Sequence, residues 1–336
     1  MNQPNTPEGG VAVVVLNMGG PDRLESVEPF LANLLADPAL IRLPFFMRPF
    51  QGGFARFIAR RRSVEVRENY AKIGGGSPLR CWSELQAILV CRGLASRGIV
   101  ATPHVAMRYW HPFADEAVAE LRASKPRAVV VLSLYPQFSG ATSGSSLDDM
   151  KAALVRGGMG DIPCVVIDRF PALPGYLDAT AATIREGLDT MGGPTPHVTF
   201  SAHGLPVSYI KRGDPYRDEI EATFRGILER LPEGLDTSLC FQSRVGPAEW
   251  LRPYTEDHVA DLARRGVKRL LMVPLAFVSD HIETLYEMDM LYGAEAVRLG
   301  MEFRRVPALN GSPLLADALT QLVSERLEHA GVGVPS

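Results

Sequence analysis

The chain has 336 residues, 46% of them hydrophobic and 22% charged, with a net charge of −3. That size holds two ordinary domains, and mild acidity argues against a nucleic-acid binder, which carries a basic bias. The sequence holds no run of about 18 apolar residues, so no membrane span is expected, and the start MNQPNTPEGG lacks the basic-then-apolar order of a signal peptide, so a cytoplasmic protein is expected.

Residues 11–16 read as an apolar strand, followed by Asn17-Met18-Gly19-Gly20-Pro21. Two glycines there let a ligand approach the backbone, but the spacing is not G-x-G-x-x-G, so a dinucleotide site is not indicated. Residues 26–36 read as a helix. Residues 40–58 hold phenylalanines and arginines broken by prolines and glycines. They are expected as a loop that is either tucked on the core or forms an apolar lip to a pocket, able to touch a membrane surface. Arg60-Arg61-Arg62 follows, then a helix through Tyr70. A triple arginine reads as a solvated face or as a partner for substrate carboxylates. Ile73-Gly74-Gly75-Gly76-Ser77-Pro78 turns into a helix to about Ala95; no Gly-Lys-Ser/Thr follows, so it is not a phosphate loop. Strands at 102–109, 127–134 and 162–168 then alternate with helices at 113–124 and up to 156.

The second half repeats the plan, with helices at 174–191, 214–231, 255–265 and 313–329 and strands at 198–200, 237–242, 270–277 and 301–306. Strands alternating with helices predict parallel sheets. The fold class is α/β: two Rossmann-like lobes, each a parallel four-stranded sheet flanked by helices, with a cleft between them. The expected lobes are residues 1–172 and 173–312, with the closing helix, 313–330, packed back on the first.

Two passages carry chemistry. The strand 198–200 runs into Ser201-Ala202-His203-Gly204-Leu205-Pro206, which puts His203 at the strand's C-terminal end, where open α/β sheets bind ligands. Asp214 and Pro215 suit the N-cap and first turn of the next helix. A lone histidine is more often structural than functional, although it can accept a proton or bind a metal near neutral pH. The strand at 270–277 leads to Ser279, read as an N-cap, and a helix on which Asp280, Glu283 and Glu287 share a face at i, i+3 and i+7. Ile282, Leu285 and Tyr286 are left for packing. Enclosed together, Glu283 and Glu287 need exposure, a proton or a cation between them. One histidine facing such a row could hold a divalent ion and move protons. The cysteines, Cys81, Cys91, Cys164 and Cys240, form no C-x-x-C and read as small buried hydrophobes.

The passages L-N-M-G-G-P (16–21), I-G-G-G-S-P (73–78), M-R-Y-W-H-P (107–112), Y-P-Q-F-S (135–139), F-S-A-H-G-L-P (200–206), G-D-P-Y (213–216), F-Q-S-R-V-G-P (241–247) and S-D-H-I-E-T-L-Y-E-M-D (279–289) together resemble the ferrochelatase family. The resemblance covers nearly the whole chain in the family's order. It implies a lyase of haem biosynthesis with the chelatase-like fold, inserting Fe(II), its metal substrate, into protoporphyrin IX. It makes His203 and Glu283 the catalytic and metal pair, with Glu287 and Asp280 on the metal or proton path and His281 in support. It places Met18, Arg61, Arg62, Tyr70 and Ser77 against the porphyrin. Members acting on coproporphyrin III tend to carry tyrosine where Met18 stands, so protoporphyrin is favoured. Some members hold a [2Fe–2S] cluster on a cysteine near position 140 and others near the C-terminus. Here Gly140 stands at that position and no cysteine follows Cys240, so no such cluster is expected; an arrangement using all four scattered cysteines is the alternative.

The competing readings are a coproporphyrin III ferrochelatase, a cobalt or nickel chelatase for sirohydrochlorin, and a porphyrin or haem carrier. The second should need more basic residues and fewer phenylalanines than 40–58 supplies, and a carrier would not need the acidic row. The expected partner is a porphyrin and no nucleic acid, with peripheral contact to the inner face of a membrane through 40–58. No oligomeric state is read from the sequence.

Overall fold

The computed structural model describes residues 9–41, 49–246 and 248–332. The chain divides into two compact units. Unit 1 comprises residues up to Tyr135, Ser139–Arg169 and the chain from Ala316 onward; unit 2 comprises Pro136–Phe138 and Phe170–Leu315.

Unit 1 is built on a four-stranded sheet in the order β2-β1-β3-β4, all parallel. The strands are β1 (Val11–Asn17), β2 (Ala101–Met107), β3 (Ala128–Ser133) and β4 (Cys164–Ile167). Every residue of β1 and β3 is buried, because helices cover both faces and such strands read as near-continuous apolar runs. One face closes over Ala12, Val14, Leu16, Val129 and Val131. Each fully buried valine or leucine there contributes about 1.5–3 kcal/mol. The helices are α1 (Val27–Ala36), α2 (Gln51–Lys72), α3 (Leu79–Ala95), α4 (Ala114–Ser124) and α5 (Ser145–Arg156).

Residues 51–58, expected as part of a loop, are the first turns of α2, while residues 42–48 of that stretch lie outside the described residues. The reason is a strip of small residues, Ala55, Ala59 and Ser63, buried at four-residue spacing. That strip lets α2 pack closely against α1.

Unit 2 repeats the topology in the order β6-β5-β7-β8, again all parallel. Its strands are β5 (His197–His203), β6 (Thr237–Gln242), β7 (Arg269–Pro274) and β8 (Glu302–Arg305). Its helices are α6 (Pro174–Met191), the short α7 (Val207–Ile210), α8 (Tyr216–Leu228), α9 (Thr255–Arg264), a π-helix (Glu283–Tyr292) and α10 (Gly293–Arg298). The closing helix α11 (Pro313–His329) belongs to unit 1 from Ala316 onward. Among the described residues, no helix is long and apolar enough to cross a membrane.

Candidate functional site

His203 is the last residue of β5, the central strand beside which the strand order reverses. Its main chain is fixed from two sides. The Tyr216 hydroxyl donates to the His203 carbonyl at 2.8 Å, and the Gly204 N–H donates to the Gln242 carbonyl at 2.8 Å. A side chain at Gly204 would put its Cβ 2.8 Å from that carbonyl oxygen and 3.1 Å from the Trp250 ring, so only glycine fits this close approach. His203 Nδ1 lies 2.5 Å from the Gly204 carbonyl oxygen. A carbonyl only accepts, so Nδ1 carries the hydrogen, and in the neutral ring Nε2 is left with its lone pair. Nε2 stands 3.8 Å from Glu283 Oε2.

Glu283 comes from the segment after β7, where the structure departs from the expected α-helix beginning at Ser279. Helical backbone starts at Ile282, and Glu283–Tyr292 is a π-helix. Its i→i+5 hydrogen bonding widens each turn. Residues at i, i+4 and i+8 then align, so Thr284, Met288 and Tyr292 face the core instead of Ile282, Leu285 and Tyr286. Glu283 and Glu287, also four apart, share the other side. The Ser243 hydroxyl lies between them, 2.5 Å from Glu287 Oε2 and 3.4 Å from Glu283 Oε2. His281 Nε2 stands 3.6 Å from Glu283 Oε1.

Asp280 precedes the helix, and its carboxylate is directed elsewhere. Arg305 Nη1 donates to Oδ1 at 2.8 Å, and Asn310 Nδ2 donates to Oδ2 at 2.7 Å. Arg305 also forks onto Asp289 at 2.8 and 2.9 Å, a strong bidentate geometry. The geometry makes Asp280 a buried clamp between the start of the π-helix and the end of β8.

The two glutamates titrate apart. Burial raises both. At Glu283 that is outweighed by the positive form of His203, by His281 and by the Gln242 amide, which hold the carboxyl down at about 2. At Glu287, burial and then the charge of Glu283 prevail, and the carboxyl is pushed up to about 7 despite the Ser243 hydrogen bond. One permanent carboxylate, one carboxyl poised near neutrality and one imidazole with a free nitrogen therefore converge. Such a set can take a cation and exchange it for protons.

The ferrochelatase family model matches residues 10–327. The chain belongs to the ferrochelatase family. It is an enzyme, a lyase that inserts ferrous iron into a porphyrin ring. It is 49% identical over 326 residues to a ferrochelatase of Synechococcus elongatus, covering 96% of this chain and 84% of the relative. It is 44% identical over 321 residues to that of Gloeobacter violaceus, covering 94% and 98%. Among solved structures, SirB from Bacillus subtilis with Fe3+ shares the fold, with a TM-score of 0.54 at 10% identity, covering 97% of this chain and all of SirB. CbiX, the terminal enzyme of sirohaem biosynthesis in denitrifying bacteria, does so with a TM-score of 0.51 at 15% identity, covering 94% and 98%.

The residues that resemblance to this family sets against the porphyrin all belong to unit 1. Met18 follows β1, and its carbonyl accepts the Tyr109 N–H. Ser77 is drawn to the same loop, its N–H donating 2.7 Å to the Pro21 carbonyl. Gly20 makes room for this: a Cβ there would lie 2.6 Å from Ser77 Oγ and 3.7 Å from the Tyr70 hydroxyl. Met18, Ser77 and Tyr70 thus gather at the end of β1. Arg61 and Arg62 are exposed on α2, Arg61 stacked 5.7 Å from the Phe57 ring centre.

Sequence reading missed Gln242, Ser243, Trp250 and Tyr216 as parts of the histidine site. The run F-Q-S-R-V-G-P (241–247) carried the first two, but a glutamine and a serine at a strand end suggest no chemistry until their partners are seen.

Proposed function

We propose that metallation of protoporphyrin IX runs on His203, Glu283 and Glu287, with Met18, Arg61, Arg62, Tyr70 and Ser77 holding the ring. The single observation that carries this is His203 Nε2, unprotonated in the neutral ring, facing Glu283 at 3.8 Å. Insertion removes two pyrrole protons and delivers one metal ion. Nε2 is the atom available to accept a proton, and the imidazolium so formed is stabilised by the Glu283 carboxylate. Ferrous iron suits mixed imidazole and carboxylate donors. Among the described residues, no three His, Cys, Asp or Glu side chains stand as a ready-made metal site, and iron here is a substrate. A flat porphyrin hides its nitrogen lone pairs, so binding energy at the ring's periphery is spent on bending it.

The reading needs no iron–sulfur cluster. Its support is that Cys81 and Cys91 stand on α3, Cys164 on β4 and Cys240 deep in β6, with Gly140 where some relatives carry cysteine. A peripheral membrane contact is placed on the start of α2, supported by exposed Phe50, Phe54 and Phe57 beside Arg56, Arg60 and Arg61, the composition of an interfacial helix.

The test is insertion of Fe(II) or Zn(II) followed at the Soret band, with protoporphyrin IX and coproporphyrin III side by side. His203→Ala abolishes insertion while porphyrin binding persists; normal turnover in that variant refutes the assignment. Faster use of coproporphyrin III reverses the substrate preference.

A further inference from the structure

Successive side chains on an extended strand point to opposite faces. Gln242 ends β6 and Ser243 follows it, so an extended chain would send one of them away from the acids. Both reach the acids. Gln242 Nε2 lies 3.4 Å from Glu283 Oε2, and Ser243 Oγ reaches Glu287 and Glu283. The alternation is broken by Ser243 itself, whose φ is +63°, in the left-handed region that residues other than glycine rarely adopt. Strain of this kind persists only where the surroundings impose it, and it clusters at functional sites.

The Gln242 amide is also locked. Its Oε1 accepts the Ser201 hydroxyl at 2.8 Å, and Ser201 in turn meets Thr255 Oγ1 at 3.0 Å. All three side chains are buried. With Oε1 committed to Ser201, the donor end of the amide faces Glu283. A buried polar row satisfied within itself fixes the orientation of each of its members, so the row holds the amide's donor end toward Glu283.

We propose that Gln242 and Ser243 are positioning residues for metal delivery: one amide and one hydroxyl on consecutive residues fix Glu283 and Glu287 as two separately held carboxyls, and the left-handed backbone at Ser243 is what brings both donors to one side. This rests on the reading that the two glutamates handle the metal.

The experiment uses the full chain and reads steady-state insertion, resolved into kcat, the KM for Zn(II) and the KM for porphyrin. It also reads Co(II) binding by calorimetry with no porphyrin present. Ser243→Gly keeps the backbone and removes the hydroxyl. It should fold as well as the parent yet weaken Co(II) binding and raise the Zn(II) KM by roughly tenfold, the usual cost of losing a partner that orients a metal ligand, with the porphyrin KM unchanged. Ser243→Asn, which tolerates the left-handed region and supplies a donor, should recover most of that loss, and Gln242→Leu should repeat it. A purely structural role would lower stability or move both KM values together. Wild-type Co(II) affinity and Zn(II) KM in Ser243→Gly, or no recovery in Ser243→Asn, overturns the proposal; the Ser243 pair decides it if Gln242→Leu does not fold. If Glu283→Gln itself binds Co(II) as the parent does, the underlying reading falls. If Glu283→Gln loses the metal while Ser243→Gly keeps it, only the present inference falls.

Discussion

His203 Nε2 and Glu283 Oε2 stand 3.8 Å apart, within ion-pair range but too far for a direct hydrogen bond. At that separation the permanently ionised Glu283 acts on the imidazole through its charge, favouring the protonated ring. Glu283→Gln keeps the shape and removes the charge. Insertion should fall by about 10²–10⁴-fold, the range for disabling a positioned proton acceptor, because His203 loses the charge that stabilises its protonated form, with porphyrin binding retained. Stopped-flow insertion beside fluorescence titration of the porphyrin checks it.

Glu287 supplies a pH dependence. Burial and the Glu283 charge raise its carboxyl from 4.5 to about 7, so the fold favours the protonated form. The sign follows: the metal-free protein bears an ionisation penalty that grows as pH rises from about 4.5 to about 7 and then levels off. Melting curves across that window should show Glu287→Gln gaining stability over the parent as pH rises. A divalent cation should stabilise the parent more than the variant.

Asp280→Asn should act on stability. Its carboxylate is tied to Arg305 and Asn310, and removing one member of a buried ion pair costs about 3–5 kcal/mol. A drop in melting temperature, with the metal KM of the surviving folded enzyme near normal, is the expected result. A raised metal KM at unchanged stability would return Asp280 to the metal path.

Asp37 is the corresponding clamp of unit 1. Burial pushes it up, yet Ser145, the Ala39 N–H, Tyr109 and Arg108 together hold it below the ordinary carboxylate value of 3.8. A depressed carboxyl stabilises above its unfolded pKa, and that contribution is lost as pH falls through the folded value. Asp37→Asn should therefore weaken the protein at neutral pH by about 3–5 kcal/mol. It should also flatten the parent's loss of stability below pH 3.8, measured by urea unfolding at stepped pH.

Gly204→Ala would drive a methyl group against the Gln242 carbonyl and the Trp250 ring. Overpacking of this kind costs about 1–3 kcal/mol. Because the displaced groups hold His203, insertion should fall further than stability does, which paired melting and turnover measurements would show.

Much of this protein is legible without coordinates. Apolar runs such as residues 11–16, alternating with amphipathic helices, dictate parallel sheets, because each strand must be covered on both faces. Gly204 and Pro206, just after β5, place His203 at a strand end, where open sheets bind ligands, and the spacing of Glu283 and Glu287 puts two acids together under either helical geometry. What local pattern could not dictate depends on distant partners. Asp280 looked like a member of the acidic row until β8 brought Arg305, 25 residues away, within reach of it. The packing residues shifted to Thr284, Met288 and Tyr292 because the choice between i→i+4 and i→i+5 hydrogen bonds is made by the core the helix meets, and residue spacing alone does not specify it. Gln242 and Ser243 became part of the site only through a left-handed residue that turns two neighbouring side chains the same way, a conformation that surrounding contacts impose on a serine against its own preference.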